Sequence, residues 1–174
     1  MKQALIVVDM QEIFFNEPQY FLHDHNQLLE NVNLLINHAR QQHIPVIFIQ
    51  HTDPNEQGAL FEGKDNWKLH RNLRMSDSDT IIKKTKWDAF YNTPLLDYLT
   101  HNRIEQLIFA GAQTEFCLDT TIRAAYSLGY QHNILYKHTH STLNSACLEA
   151  TAIIQHHEHI WNHRFVTLRP LEQL

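Results

Sequence analysis

The chain has 174 residues, 43% hydrophobic and 19% charged, which suits one globular domain over residues 1–174 with a full core and no disulfide or metal staples. Fourteen Lys and Arg against nineteen Asp and Glu give a net charge of -5 with no dense basic cluster, so no nucleic acid partner is expected. No apolar run approaches the roughly 20 residues of a bilayer span, and the Ala4–Val8 run is too short for a signal sequence, so the expected setting is soluble and cytoplasmic, without a membrane partner.

Ala4 to Val8 is a continuous apolar run closed by Asp9, the pattern of a central strand buried on both faces. From Asn26 to Gln42, Leu28, Leu29, Val32, Leu35, Ile36 and Ala39 recur at helical spacing. Pro45 to Ile49 reads as a second buried strand, with the proline tolerable at its first position. Residues 51–79 are polar and aperiodic, and a loop of that length is usually functional. Thr80 to Ile82 is a short third strand, Thr93 a candidate N-cap for a helix over Pro94 to Thr100, and Gln106 to Ala110 a fourth strand ending at Gly111. Cys117 to Leu128 has a helical stripe at 118, 122, 125 and 128 and stops at Gly129, a residue suited to the left-handed position after a helix. Ile134 to Tyr136 and Leu143 to His156 repeat strand and helix, placing Cys147 within a helix as a core residue, and Arg164 to Leu168 adds an edge strand. This alternation predicts a three-layer α/β/α fold with a mostly parallel sheet and a ligand site beyond the strand carboxyl ends.

Only four glycines occur, too few and too scattered for a dinucleotide fingerprint or a phosphate loop, so no nucleotide cofactor bound through those motifs is expected. Three groups fall where the topology puts a site: Asp9 after the first strand, Lys84 just after the third, and Cys117 at the start of the helix after the fourth. Each alone has a plainer reading, as a turn former, a surface lysine beside Lys83 and Lys86, and a packed thiol. Together they form a nucleophile with two activators. A helix N-terminus and a nearby lysine are expected to lower the pKa of Cys117, and Asp9 to take its proton and return it to a leaving amine.

The segments Ala4-Leu5-Ile6-Val7-Val8-Asp9-Met10-Gln11, Lys84-Thr85-Lys86-Trp87-Asp88-Ala89-Phe90 and Gly111-Ala112-Gln113-Thr114-Glu115-Phe116-Cys117, with Thr120-Thr121 after them, resemble the three signature blocks of the isochorismatase-like cysteine hydrolases, in that family's order. The resemblance spans about residues 4 to 160 and implies a Rossmann-like sandwich with six strands, Asp9 as acid/base, Lys84 as activating cation and Cys117 as nucleophile. It also implies a cis Ala112–Gln113 peptide and an oxyanion hole made by the N–H groups of Gln113 and Cys117.

The nicotinamidases of that superfamily bind a metal through an acid and two histidines after the second strand. Here His51-Thr52-Asp53 begins alike, but no further histidine follows until His70, so no metal and no cofactor are assigned. Family members that cleave the vinyl ether of isochorismate lack the cysteine, which this chain has. His138 stands where relatives often carry an aspartate before the His140-Ser141-Thr142 run.

Phe14, Gln50, His51, Trp67 and Trp87 are the candidate substrate-binding walls. The expected activity is hydrolysis of a C–N bond in a small molecule through an acyl-enzyme on Cys117. The alternatives are a metal-assisted nicotinamidase and a catalytically idle metabolite-binding protein. A homo-oligomer, dimer or tetramer as in relatives, is expected as well.

Overall fold

A computed structural model describes residues Met1–Leu174. The elements in chain order are β1 (Gln3–Val8), α1 (Ile13–Asn16), α2 (His25–Gln41), β2 (Val46–His51), β3 (Thr80–Lys84), α3 (Leu95–His101), β4 (Gln106–Ala112), α4 (Asp119–Ser127), β5 (Asn133–Ser141), α5 (Ala150–Trp161) and β6 (Val166–Arg169). All six strands are parallel, in the order β3-β2-β1-β4-β5-β6. The mostly parallel sheet expected from the alternation is therefore parallel throughout, in the doubly wound order whose crevice opens between β1 and β4.

The strands are apolar throughout because both sheet faces are covered. Ala4, Ile6 and Val8 join Ile47, Ile49, Leu107 and Phe109 beneath Leu95 and Leu99 of α3, Ile122 and Ala125 of α4 and Trp161 of α5. Leu5 and Val7 point the other way, with Phe48, Ile108 and Ala110, into Leu28, Val32, Leu35, Ile36 and Ala39 of α2. Burying each such aliphatic side chain stabilises by roughly 1.5–3 kcal/mol, so the period-2 strands and the stripe of α2 hold one register.

Gly111 joins the two central strands at the crevice. It pairs with Val8 at φ +116°, and a Cβ there would stand 2.0 Å from the Val8 carbonyl oxygen. Only glycine permits that approach. At the end of α4, Gly129 at φ +102° donates to the Tyr126 carbonyl and Tyr130 donates to that of Ala125, the paired bonds of a Schellman stop.

Three expectations need correction. β3 runs on through Lys83 to Lys84, so Lys84 is the last residue of the strand and not the first of the following loop. Residues 114–118 form a π-helical turn ahead of α4, so Cys117 lies one turn before the regular helix. Residues 142–149 are a loop and α5 starts at Ala150, so Cys147 is exposed and outside the core. Ser145 explains this last difference: its hydroxyl accepts the N–H groups of Cys147 and Leu148 while its own N–H donates to the Leu148 carbonyl, a local ring that competes with helix.

Candidate active site

Sheet register assembles the site. His51 and Lys84 are paired terminal residues of β2 and β3, and Asp9 follows Val8 at the end of β1, so adjacent strands deliver all three side chains to one edge. Lys84 shares the inward side of β3 with Ile82, whereas Lys83 points outward and pairs with Glu62. Asp9 takes φ +48°, with its N–H on the Ile49 carbonyl, at the point where β1 turns into the loop. The π turn that carries Cys117 is tied at its start, where the Gln113 carbonyl accepts the N–H groups of Phe116 and Leu118 and Thr114 Oγ1 meets His140 Nδ1 at 2.9 Å.

The Lys84 ammonium is the centre of the arrangement. It lies 2.7 Å from Asp9 Oδ2, 3.1 Å from Cys117 Sγ, 3.1 Å from His51 Nδ1 and 3.1 Å from the Lys86 carbonyl. Its side chain is wholly buried. Burial opposes its charge, but Asp9 and then Cys117 outweigh that, and its pKa stands above that of an ordinary lysine. Asp9 is buried with it, and its Oδ1 has no hydrogen-bond partner.

Cys117 departs from the expected electrostatics. Burial first, and then the Asp9 carboxylate, push its thiol well above the ordinary value, and Lys84 offsets only part of that rise. That balance favours the thiol over the preformed thiolate that a helix terminus and a lysine alone would give. A nearby proton acceptor is then what the thiol needs in order to attack.

Burial, followed by the Lys84 charge, lowers the pKa of His51, with Asp9 and Asp53 acting the other way. Asp9, His51 and Cys117 offer donor atoms within 4.8 Å of one another, a spacing an ion could use. In this chain the Lys84 ammonium already stands among those three atoms and satisfies their demand for positive charge.

A cavity of about 280 Å³ opens above these groups, lined by Asp9, Phe14, His51, Leu60, Trp87, Gln113, Phe116 and Cys117. The structure thus gathers the predicted Phe14, His51, Trp87 and Gln113 at one place with Asp9 and Cys117. The Ala112–Gln113 peptide is cis.

Gln50 and Trp67 do not line the cavity. Gln50 Nε2 donates to the Trp67 carbonyl at 2.9 Å, and Trp67 Nε1 donates to Thr52 Oγ1 at 2.9 Å, so this pair fastens the long excursion to the end of β2. His70, further along the excursion, packs on Phe15 at 4.3 Å between ring centres and likewise stands outside the cavity.

Several contributors carried no assigned role in the sequence. Gln11 accepts the His51 N–H and donates to the carbonyls of His51 and Trp67, clamping the excursion over the sheet edge. Thr121 accepts the Ala89 N–H and donates to the Trp87 carbonyl, holding the cavity mouth against α4. Gln11 sits inside a signature block and Thr121 just after one, which was the available signal. Phe116, packed on Trp87 at 5.1 Å, precedes the cysteine in such a block, but Leu60 lies in the aperiodic excursion and had no signal.

Comparison with known proteins shows the family. A family model described as the Isochorismatase domain matches residues 3–163. The crystal structure of an isochorismatase family protein superposes with a TM-score of 0.89 at 42% identity, covering 96% of this chain and 97% of that one. An uncharacterized isochorismatase family protein, YddQ of Bacillus subtilis (strain 168), is 28% identical over 75% of this chain and 73% of its own length. The ureidoacrylate amidohydrolase RutB of Yersinia enterocolitica is 29% identical over 79% of this chain and 74% of its own.

Proposed function

The chain belongs to the isochorismatase family, and from that premise we propose that it hydrolyses a C–N bond of a small molecule through an acyl-enzyme on Cys117. The observation that carries this reading is the buried Lys84 ammonium held between Asp9 Oδ2 and Cys117 Sγ, whose residues both line the cavity. The likeness to RutB, a ureidoacrylate amidohydrolase, supports the same reaction class.

Asp9 takes the thiol proton as Sγ attacks the substrate carbonyl, and the Lys84 ammonium compensates the negative charge as it passes from carboxylate to sulfur. The N–H groups of Gln113 and Cys117 receive the oxyanion of the tetrahedral intermediate. Asp9 gives its proton to the leaving nitrogen, the C–N bond breaks, and a thioester remains on Cys117. Asp9 then draws a proton from water, whose oxygen attacks the thioester. Collapse releases the acid and returns a proton to sulfur, so the net reaction is amide plus water to acid plus amine.

The walls Phe14, Leu60, Trp87 and Phe116 suit a compact acyl group with a planar or apolar face. The test is a screen of small amides and ureido compounds for amine or ammonia release, run in parallel with Cys117→Ala. Release by the intact chain that is lost in Cys117→Ala supports the proposal, and equal release by both overturns it.

A further inference from the structure

His51 stands in the middle of the site, yet the hydrolytic sequence above assigns it no step. Two contacts define what its ring can do. Nδ1 lies 3.1 Å from Lys84 Nζ, and Nε2 lies 3.6 Å from Asp53 Oδ1. An ammonium has only protons to offer, so Nδ1 must present its lone pair and the ring proton belongs on Nε2, facing the Asp53 carboxylate. Asp53 is itself fixed, since its Oδ2 accepts the Leu60 N–H at 2.8 Å. The backbone of His51 is fixed by Gln11 on both its N–H and its carbonyl.

We propose that His51 is a positioning residue: oriented through Nε2 by Asp53, it accepts a hydrogen bond from Lys84 at Nδ1 and thereby aims the ammonium at Cys117 Sγ. The inference rests on the hydrolase reading above. Asp9 alone would leave Lys84 free to rotate about a single ion pair. Four acceptors surround three N–H donors, so one donor is shared, and the fixed His51 acceptor and Lys86 carbonyl hold the charge 3.1 Å from the sulfur.

The charged and titratable groups facing the ring are Lys84 from β3, Asp9 from β1, Asp53 from the excursion and the Cys117 thiol from the π turn. Burial and the Lys84 charge keep the ring neutral at neutral pH, as an acceptor must be. A protonated ring would lose its lone pair at Nδ1 and set a second cation against the ammonium. The competent form is therefore lost as His51 takes a proton, which adds an acid limb to turnover. Because Asp53 raises the His51 pKa and Lys84 lowers it, Asp53→Asn moves that limb to lower pH. A merely structural role for Asp53 would lower activity without moving the limb.

The direct test is nitrogen NMR on the full chain labelled at its histidines, with the His51 signals identified by their loss in His51→Asn. The expected result is the Nε2–H tautomer at neutral pH, with a midpoint that rises in Lys84→Met and falls in Asp53→Asn. A proton on Nδ1, or a midpoint that Lys84→Met leaves in place, overturns the proposal. The wild-type tautomer needs only His51→Asn for its assignment, so the proposal stays falsifiable should Lys84→Met not fold.

A second readout uses any amide turned over by the intact chain and not by Cys117→Ala. His51→Asn, which keeps an acceptor near the Nδ1 position, is expected to stay within about tenfold in kcat, whereas His51→Leu loses about 100-fold in kcat with little change in KM. A loss confined to KM would make the ring a wall for substrate and overturn the positioning role. Failure of the hydrolase reading shows separately, as turnover that survives Cys117→Ala.

Discussion

Lys83 and Lys84 are neighbours in sequence with opposite fates: one reaches Glu62 at the surface, and the other is buried whole between a carboxylate and a thiol. Strand alternation makes that choice, and once β3 is extended to residue 84 the inward side is fixed by Ile82. The trio of Asp9, Lys84 and Cys117 was legible because each follows or ends a strand in a parallel sheet. The state of the thiol was not legible, because it depends on how much burial and Asp9 outweigh Lys84. From this balance, Asp9→Asn should lower the Cys117 pKa, since a charge that raises it is gone, while turnover falls by about 100-fold or more for want of an acid/base. The pH dependence of Cys117 alkylation and the rate on a validated amide read the two effects. Near-normal turnover in Asp9→Asn would return Asp9 to a structural role.

At the scale of elements, the boundaries that periodicity sets were the readable ones. Leu28, Val32, Leu35, Ile36 and Ala39 of α2 all lie in the core, and Gly129 ends α4 as its position suggested. The run from Leu143 to Cys147 misled because its composition suits a helix while Ser145 closes a tighter local ring, a competition that pattern alone does not weigh. The π turn was hidden for a similar reason, since the ties from the Gln113 carbonyl and His140 that shape it come from outside any helical period. Gly111 makes the sharpest prediction here. Gly111→Ala would force a Cβ onto the Val8 carbonyl at positive φ, so it should destabilise by about 3 kcal/mol or more and disturb both Asp9 and the turn of Cys117. Urea unfolding checks this, and a change below about 0.5 kcal/mol would contradict the close approach of β1 and β4.

For the whole molecule, stability should fall toward mild acid. Burial is the first cause that lowers the pKa of both His51 and His70 from 6.5, so the unfolded chain takes protons there that the folded chain refuses. Stability is then full above that ordinary value and declines below it, by up to about 1.4 kcal/mol per pH unit for each ring. Glu12 and Glu158 act further into acid. Their folded pKa values are lowered against the opposing effect of burial, by Arg71 and His140 respectively, so the stability they give is lost as pH falls through those values. Urea midpoints between about pH 7.5 and 5 test the histidine part, and a flat profile would contradict it. The cavity exposes Trp87 at 56% and Phe116 at 37%, and Tyr91, 53% exposed, lines an adjoining groove with Trp87. We propose that association with further copies covers this rim, so sedimentation at micromolar concentration should give a multiple of 20.6 kDa, whereas a single 20.6 kDa species would refute it. No helix is long and apolar enough to cross a membrane.

The proposed hydrolysis stands or falls with a covalent acyl group on Cys117. Acid quenching during steady turnover of a small amide, followed by peptide mass mapping, tests it most directly. The expected result is the acyl mass on the peptide that carries Cys117 and its disappearance as substrate is exhausted. Turnover accompanied by an acyl group on another residue, or by continued hydrolysis in Cys117→Ala, would contradict it.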